Sequence, residues 1–217
     1  LLPLGLATRV DQLGVRGMQR RLEGQLRRRD PEFTSTLLSA VRTHPSEPAF
    51  PLLGGSEAAQ RGDPAALRWL NRAMVLAPSW GAPHEEAARY LFLRGHAEQG
   101  LLEVREAGVR GRTAAARFAC PALTARAELA ATAIRVLAAD ETGDQLLDHI
   151  GRCLPRDAPA AIEIDTHLMA RAVLGGTLRT AQRALDAGEP ARALALLAPI
   201  QGREPRLLAL RARAHIA

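Results

Sequence analysis

The sequence predicts an all-α fold built from antiparallel helix pairs stacked one on the next, and three observations predict it. Of the 217 residues, 42 are alanine and only 3% are aromatic. Alanine is the strongest helix former, and it lets helices approach closely without filling volume. Val, Ile, Thr and Tyr never gather into alternating runs, which argues against a sheet-rich fold. Small and large residues also recur at intervals of about 34 from Phe50 onward, the mark of a repeat array. A chain of 217 residues suffices for one helical domain or one short stack, not for several independent domains.

Residues 1–45 form the first segment. The opening Leu1-Leu2-Pro3-Leu4-Gly5-Leu6-Ala7, before Arg9, is too short to span a bilayer and lacks a signal peptide's charged leader and cleavage site. It reads as the tail of something longer, possessing the apolar character of a span's end. From Val15 the residues Val15, Met18, Leu22 and Leu26 follow helical spacing, with Arg20, Arg21 and Arg27 to Arg29 outside them, until Asp30-Pro31 ends the helix. A second helix, about Thr34 to Arg42, carries Leu37, Leu38 and Val41, and His44-Pro45-Ser46 breaks it.

Residues 46–114 hold two repeats. Phe50-x2-Leu53-Gly54 leads to the turn Gly62-Asp63-Pro64, then to Ala66-x3-Leu70, Ala73 and a closing Pro78. Thirty-four residues on, Gly54 maps to Ala88, Ala66 to Gly100 and Ala73 to Ala107, Leu91 and Val104 take the large positions, and the turn glycine returns at Gly95. This pattern resembles the tetratricopeptide repeat. The departures are Glu57 at the tyrosine position, His84 for the bulky first residue and Arg112 for the closing proline. The resemblance implies an α-solenoid, in which each repeat contacts only its neighbours and the stack offers a concave surface.

Residues 115–175 read as helices of irregular or degenerate repeats: Pro121 to Ala139, about Asp144 to Cys153, and Ala160 to Leu174. The loops Asp140 to Gly143 and Pro155 to Pro159 separate them, with aspartates placed as N-caps, and Gly175-Gly176 marks the last break. Residues 176–217 return to the repeat pattern, with a first helix about Leu178 to Ala187, the turn Gly188-Glu189-Pro190, then Ala193-x3-Leu197 and Pro205. Ala193 lies 127 residues from Ala66, nine short of four periods, so the register is lost between them. The helix from Leu207 to Ala217 reads as truncated.

Charge and chemistry narrow the function classes. The 29 basic residues against 23 acidic ones are all arginine, which excludes lysine-based chemistry such as a Schiff base or a P-loop. Net charge +6 spread along the chain is a weak nucleic-acid signal, and the scarcity of aromatics argues against base stacking. Cys120 and Cys153 match no metal or redox spacing; two inert buried thiols are expected, and a disulfide only in an oxidising compartment. Glu163-x-Asp165-x-His167 would bind a metal on a strand. On the helix its alanine flanks favour, only Glu163 and His167 share a face, as an exposed pair. His84-Glu85-Glu86 and His96 carry the residue types of acid–base catalysis but occupy packing and turn positions of a repeat. Trp69 is expected in the core or lining a groove, and Trp80 at the joint between repeats. No catalytic, cofactor or metal site is expected.

A second resemblance rests on the run Arg42-Thr43-His44-Pro45-Ser46-Glu47-Pro48-Ala49-Phe50-Pro51-Leu52-Leu53-Gly54, followed by Ala66 to Ala73 and Pro83-His84. It is similar to the C-terminal region of bacterial O-antigen ligase or polymerase-like membrane proteins. That resemblance implies a non-catalytic, membrane-associated tail on a body that handles lipid-linked polysaccharide. If a span precedes Leu1, the arginines at 9, 16, 20 and 21 favour the cytoplasmic face by the positive-inside rule. The expected partner is a protein or peptide held in the concave groove, with Ser56, Arg89 and Phe92 as the candidate contacts and no nucleic acid. The competing expectation is a soluble cytoplasmic protein, the regulatory repeat tail of a bacterial signalling or transcription factor.

Overall fold

The computed structural model describes residues 4–216, with side-chain environments from Gly14 onward. The apolar opening Leu1 to Ala7 and Arg9 therefore lie outside the described side chains. Every regular element among the described residues is helical: α1 (Leu4–Arg28), α2 (Phe33–Thr43), α3 (Ala49–Gln60), α4 (Ala65–Leu76), α5 (Ala82–Leu93), α6 (Ala97–Ala125), α7 (Ala130–Leu137), α8 (Glu141–Cys153), α9 (Pro159–Ala170), α10 (Leu174–Asp186), α11 (Pro190–Leu197) and α12 (Pro205–Ile216). A short 3-10 turn, Ala127–Leu129, precedes α7. The all-α expectation holds. The chain divides into two compact units, Leu1–His96 and Ala97–Ala217.

In the first unit each helix packs on the next, and α1, α3 and α5 also pack in series, α1 on α3 and α3 on α5. Leu22, Phe33, Leu37, Ala40 and Phe50 form one buried cluster, joined from its edge by Val15, Met18, Leu26 and Trp69. Ala58, Ala59, Ala66, Tyr90 and Leu91 form a second, on which Trp69 also packs. Tight approach of α3 to α4 explains Gly55, where an added methyl would lie 2.5 Å from the Leu70 side chain.

The turns show a periodicity that the composition of residues 1–45 conceals. The helices α3 and α5 both end on a left-handed glycine, Gly62 at φ 71° and Gly95 at φ 80°. In each case the next amide reaches back five residues, Asp63 N to Ala58 O at 2.9 Å and His96 N to Leu91 O at 2.9 Å. This is a Schellman cap, whose left-handed position costs a residue with a Cβ about 1 kcal/mol. Arg29 at φ 52° closes α1 in the same way, with Asp30 N bonded to Gln25 O at 3.0 Å. Arg29, Gly62 and Gly95 are each 33 residues apart. The N-terminal helices, read from sequence as a separate segment, thus share the turn geometry of the pairs that follow.

The second helices end alike as well. His44 (φ −130°, ψ 69°) and Ala77 (φ −138°, ψ 74°) terminate α2 and α4, and each precedes a proline. Gly111 falls at the next equivalent place and is also extended, at φ −172° and ψ 85°. Because Arg112 stands where proline would block a helix, a second helix starts at once, and Ala97 to Ala125 is two helices that abut at a non-helical Gly111. The buried triplets Phe33/Leu37/Ala40, Ala66/Leu70/Ala73 and Gly100/Val104/Ala107 keep the same spacing within each helix.

These turns make a prediction of sign. Arg29→Gly relieves left-handed strain and raises stability by about 0.5–1 kcal/mol, whereas Gly62→Ala introduces it and costs about 1 kcal/mol. Urea titration of both variants checks the pair; destabilisation by Arg29→Gly would remove the shared-turn reading.

In the second unit several element boundaries differ from the sequence expectation. The helix placed at Pro121 to Ala139 is two: Pro121 lies inside α6, the chain breaks at Arg126 (φ −136°, ψ 72°), and α7 follows. Gly175-Gly176 do not end a helix but open α10, the break lying at Ala172, which is left-handed at φ 56°. The two glycines are there for proximity, since a methyl at Gly175 would strike the Asp148 carboxylate and one at Gly176 would lie 2.7 Å from Leu168. At Gly188 (φ 75°) the expected turn is present, joining α10 to α11. Leu178, Ala181, Ala193, Leu197, Leu207 and Leu210 bury together there.

Asp140 caps α8, its carboxylate accepting the Gly143 amide at 2.8 Å. That bond, and then Arg105 beside it, lowers the Asp140 pKa below the ordinary aspartate value. A lowered folded-state pKa means the contribution is present above the unfolded pKa and is lost as pH falls through the folded one.

Cys120 on α6 and Cys153 at the end of α8 are joined as a disulfide, with a Cα–Cα distance of 6.2 Å. This corrects the expectation of two inert buried thiols. Cys120 is buried, but Cys153 lies at the exposed end of its helix, within reach of a reductant.

Candidate functional site

Ser56, Arg89 and Phe92 fall on α3 and α5, two helices that pack against one another in the first unit. Ser56 and Arg89 are 33 residues apart, the spacing of the turns, and Phe92 stands one helical turn beyond Arg89. Arg89 is exposed, and its Nη1 lies 3.4 Å from Glu86 Oε2. Ser56 and Phe92 are half-buried. The three therefore offer a hydroxyl, a tethered guanidinium and an aromatic face on adjoining helices. Glu57, in the tyrosine slot, pairs instead with Arg61 at 2.9 Å. Trp69 packs half-buried between the two clusters, as expected, and the Trp80 amide closes the turn after α4 on Ala77 O at 3.0 Å.

His84 is buried in α5 and His96 is exposed at the turn, as their places in the pattern suggest. The basic residues Arg20, Arg21 and Arg27 to Arg29 are exposed on α1 and its end, and Arg21 and Arg28 meet Glu32 and Asp30 only at 4.0 and 3.9 Å. Pairs that long and exposed contribute little, so these arginines form a solvated face.

The Glu163-x-Asp165-x-His167 triad is dispersed by the helix. Glu163 is exposed, whereas Asp165 is fully buried and His167 turns to Asp144, with Nε2 3.6 Å from Oδ1. The expected exposed Glu163–His167 pair is replaced by that contact. Among the described residues no group of three metal-ligating side chains converges.

What the triad hid is a buried ionic network across α8, α9 and α10. Arg179, 8% exposed, donates from Nε to Asp165 Oδ1 at 2.8 Å and from Nη1 to Asp148 Oδ1 at 2.9 Å. Arg183 donates to the other oxygen of Asp165 at 2.7 Å. Arg152 pairs with Asp148, and Arg171 donates to Asp144 at 2.7 Å. Asp144, Asp148 and Asp165 are each under a tenth exposed. A buried carboxylate is tolerated only when paired and hydrogen-bonded, and Asp165 has both from two guanidiniums, one on each oxygen. Sequence alone carried one usable signal: Asp144 and Asp148 are one turn apart, as are Arg179 and Arg183.

No protein-family model, curated protein or solved structure matches the chain.

Proposed function

We propose that this chain is a helical-repeat interaction module of the tetratricopeptide kind, which holds a protein or peptide partner along its first-helix face through Ser56, Arg89 and Phe92. The observation that supports the reading is the 33-residue recurrence of one Schellman turn at Arg29, Gly62 and Gly95. The turn closes the first helix of the α1–α2 and α3–α4 pairs alike, and on this reading equivalent positions on successive first helices, such as Ser56 and Arg89, form one face. An aromatic beside an arginine is also the composition of binding hot spots.

The resemblance to the tail of O-antigen ligase or polymerase-like membrane proteins is part of the same proposal, and it places the module beside a membrane body. No helix among the described residues is long and apolar enough to cross a membrane. For the side of the membrane, two indications disagree. Arginines near a span would favour the cytoplasm, but those on α1 belong to the solvated face of a helix that packs through Met18 and Leu22. The Cys120–Cys153 bond favours an oxidising compartment and does not depend on an upstream span. We give it the greater weight and place the module on the non-cytoplasmic side. Alkylation of intact cells before lysis checks this: free Cys153 trapped by a membrane-permeant maleimide would return the module to the cytoplasm.

A photo-crosslinking amino acid at Arg89 or Phe92 is expected to give a discrete adduct in cells, while one at exposed Arg68 on α4 gives none. The triple variant Ser56→Ala, Arg89→Ala, Phe92→Ala should abolish capture while its circular dichroism spectrum stays that of the folded chain. Equal adducts at Arg68 and Arg89, or capture that survives the triple variant, would sink the assignment.

A further inference from the structure

We propose that the second unit carries an anion site for a phosphate monoester dianion, in a pocket lined by Arg152, Arg156, Arg179, Gln182, Arg183 and Arg206. The cavity has a volume of about 250 Å³, room for a phosphate group and part of what bears it. The five guanidiniums come from the end of α8, the loop after it, α10 and the first turn of α12. The site lies on the second unit, so it is independent of the partner face on α3 and α5.

The charges are arranged for an outside ligand. Asp148, Asp165 and Asp186 hold the arginines in place, yet none of the three lines the cavity. Five lining cations against three bracing carboxylates leaves an excess of two positive charges, and Asp186 is further shared with Arg213 at 3.4 Å. A phosphate monoester at neutral pH carries close to two negative charges, and a carboxylate only one. Planar guanidiniums suit its tetrahedral oxygens bidentately.

Two further observations point to an occupant. Arg179 Nη2 is buried and lacks a hydrogen-bond acceptor, although it sits 2.7 Å from Asp165 Oδ1 as an ion pair. Gly151 borders the same nitrogen, where a methyl would approach to 2.7 Å, so a larger residue there would displace the guanidinium. Arg206 is exposed and has no ion pair among the described residues, which leaves its charge for the ligand.

Titration of the purified chain by calorimetry and 31P NMR tests this, with inorganic phosphate and a sugar 1-phosphate as separate arms and acetate and citrate as controls. Saturable binding of at least one phosphate is expected, and Arg206→Gln should weaken it about tenfold without changing the melting temperature. A preference for the sugar phosphate identifies an esterified source, and equal binding identifies the phosphate alone. Arg156→Gln gives a second reading of the same pocket. The proposal is overturned by no saturable binding at concentrations on the order of 10 mM, by phosphate affinity indifferent to both variants, or by citrate or acetate binding more tightly than phosphate.

Discussion

Reduction of the Cys120–Cys153 bond is expected to lower the stability of the second unit by about 3–4 kcal/mol, leaving the first unit's transition where it was. The bond closes a loop with a sequence separation of 33. In the chain-entropy account, a cross-link over that length removes several kcal/mol of freedom from the unfolded chain. Both cysteines belong to the unit Ala97–Ala217, and α6 and α8, which carry them, pack on one another. Denaturant unfolding with and without dithiothreitol, beside the double variant Cys120→Ala, Cys153→Ala, measures the effect. The oxidised protein should also be lighter than the reduced one by two hydrogens. Coincident curves in both conditions would show that the bond does not contribute, and equal masses would remove the bond and with it the argument for an oxidising compartment.

Asp165→Asn is expected to cost about 3–5 kcal/mol, the usual consequence of removing one partner from a buried ion pair. Asp165 is wholly buried and serves two guanidiniums at once, Arg179 and Arg183. The amide keeps the shape but returns neither charge, so two arginines remain in low dielectric with only Asp148 between them. Glu163→Gln, two residues away and exposed, is the matched control and should stay within about 0.5 kcal/mol of the parent. Calorimetric melting of the two variants separates a buried network from a surface charge pair; similar losses from both would refute the network's role.

The helical class was legible because it depends on local properties. Alanine content, absent alternation and the turn signals at Gly62, Gly95 and Gly188 are each readable within a few residues, and all three glycines adopt the left-handed conformation such turns demand. The first turn was not legible, because arginine at position 29 gives no sign of a conformation that glycine advertises. The Gly111 junction was half legible: the missing proline at Arg112 was visible, while its consequence, a second helix that starts at once beyond Gly111, needed the backbone. Gly175-Gly176 misled for a related reason, since glycine marks a break and close packing with the same letter, and here the neighbouring Asp148 and Leu168 decide which.

For the candidate sites, the repeat pattern put forward Ser56, Arg89 and Phe92, and only the turns of the structure set Ser56 and Arg89 one 33-residue period apart. The sequence also showed Glu163, Asp165 and His167 as one group, which the helix then separated, sending Asp165 inward and His167 to Asp144. The sequence by itself therefore determined that this protein is helical and where its glycine turns fall, because propensity and capping act over one or two turns of chain. Which arginines are solvated and which are braced around a pocket, and whether two distant cysteines meet, was decided only by tertiary structure, because the energy of a charge or a cross-link depends on what lies beside it in space.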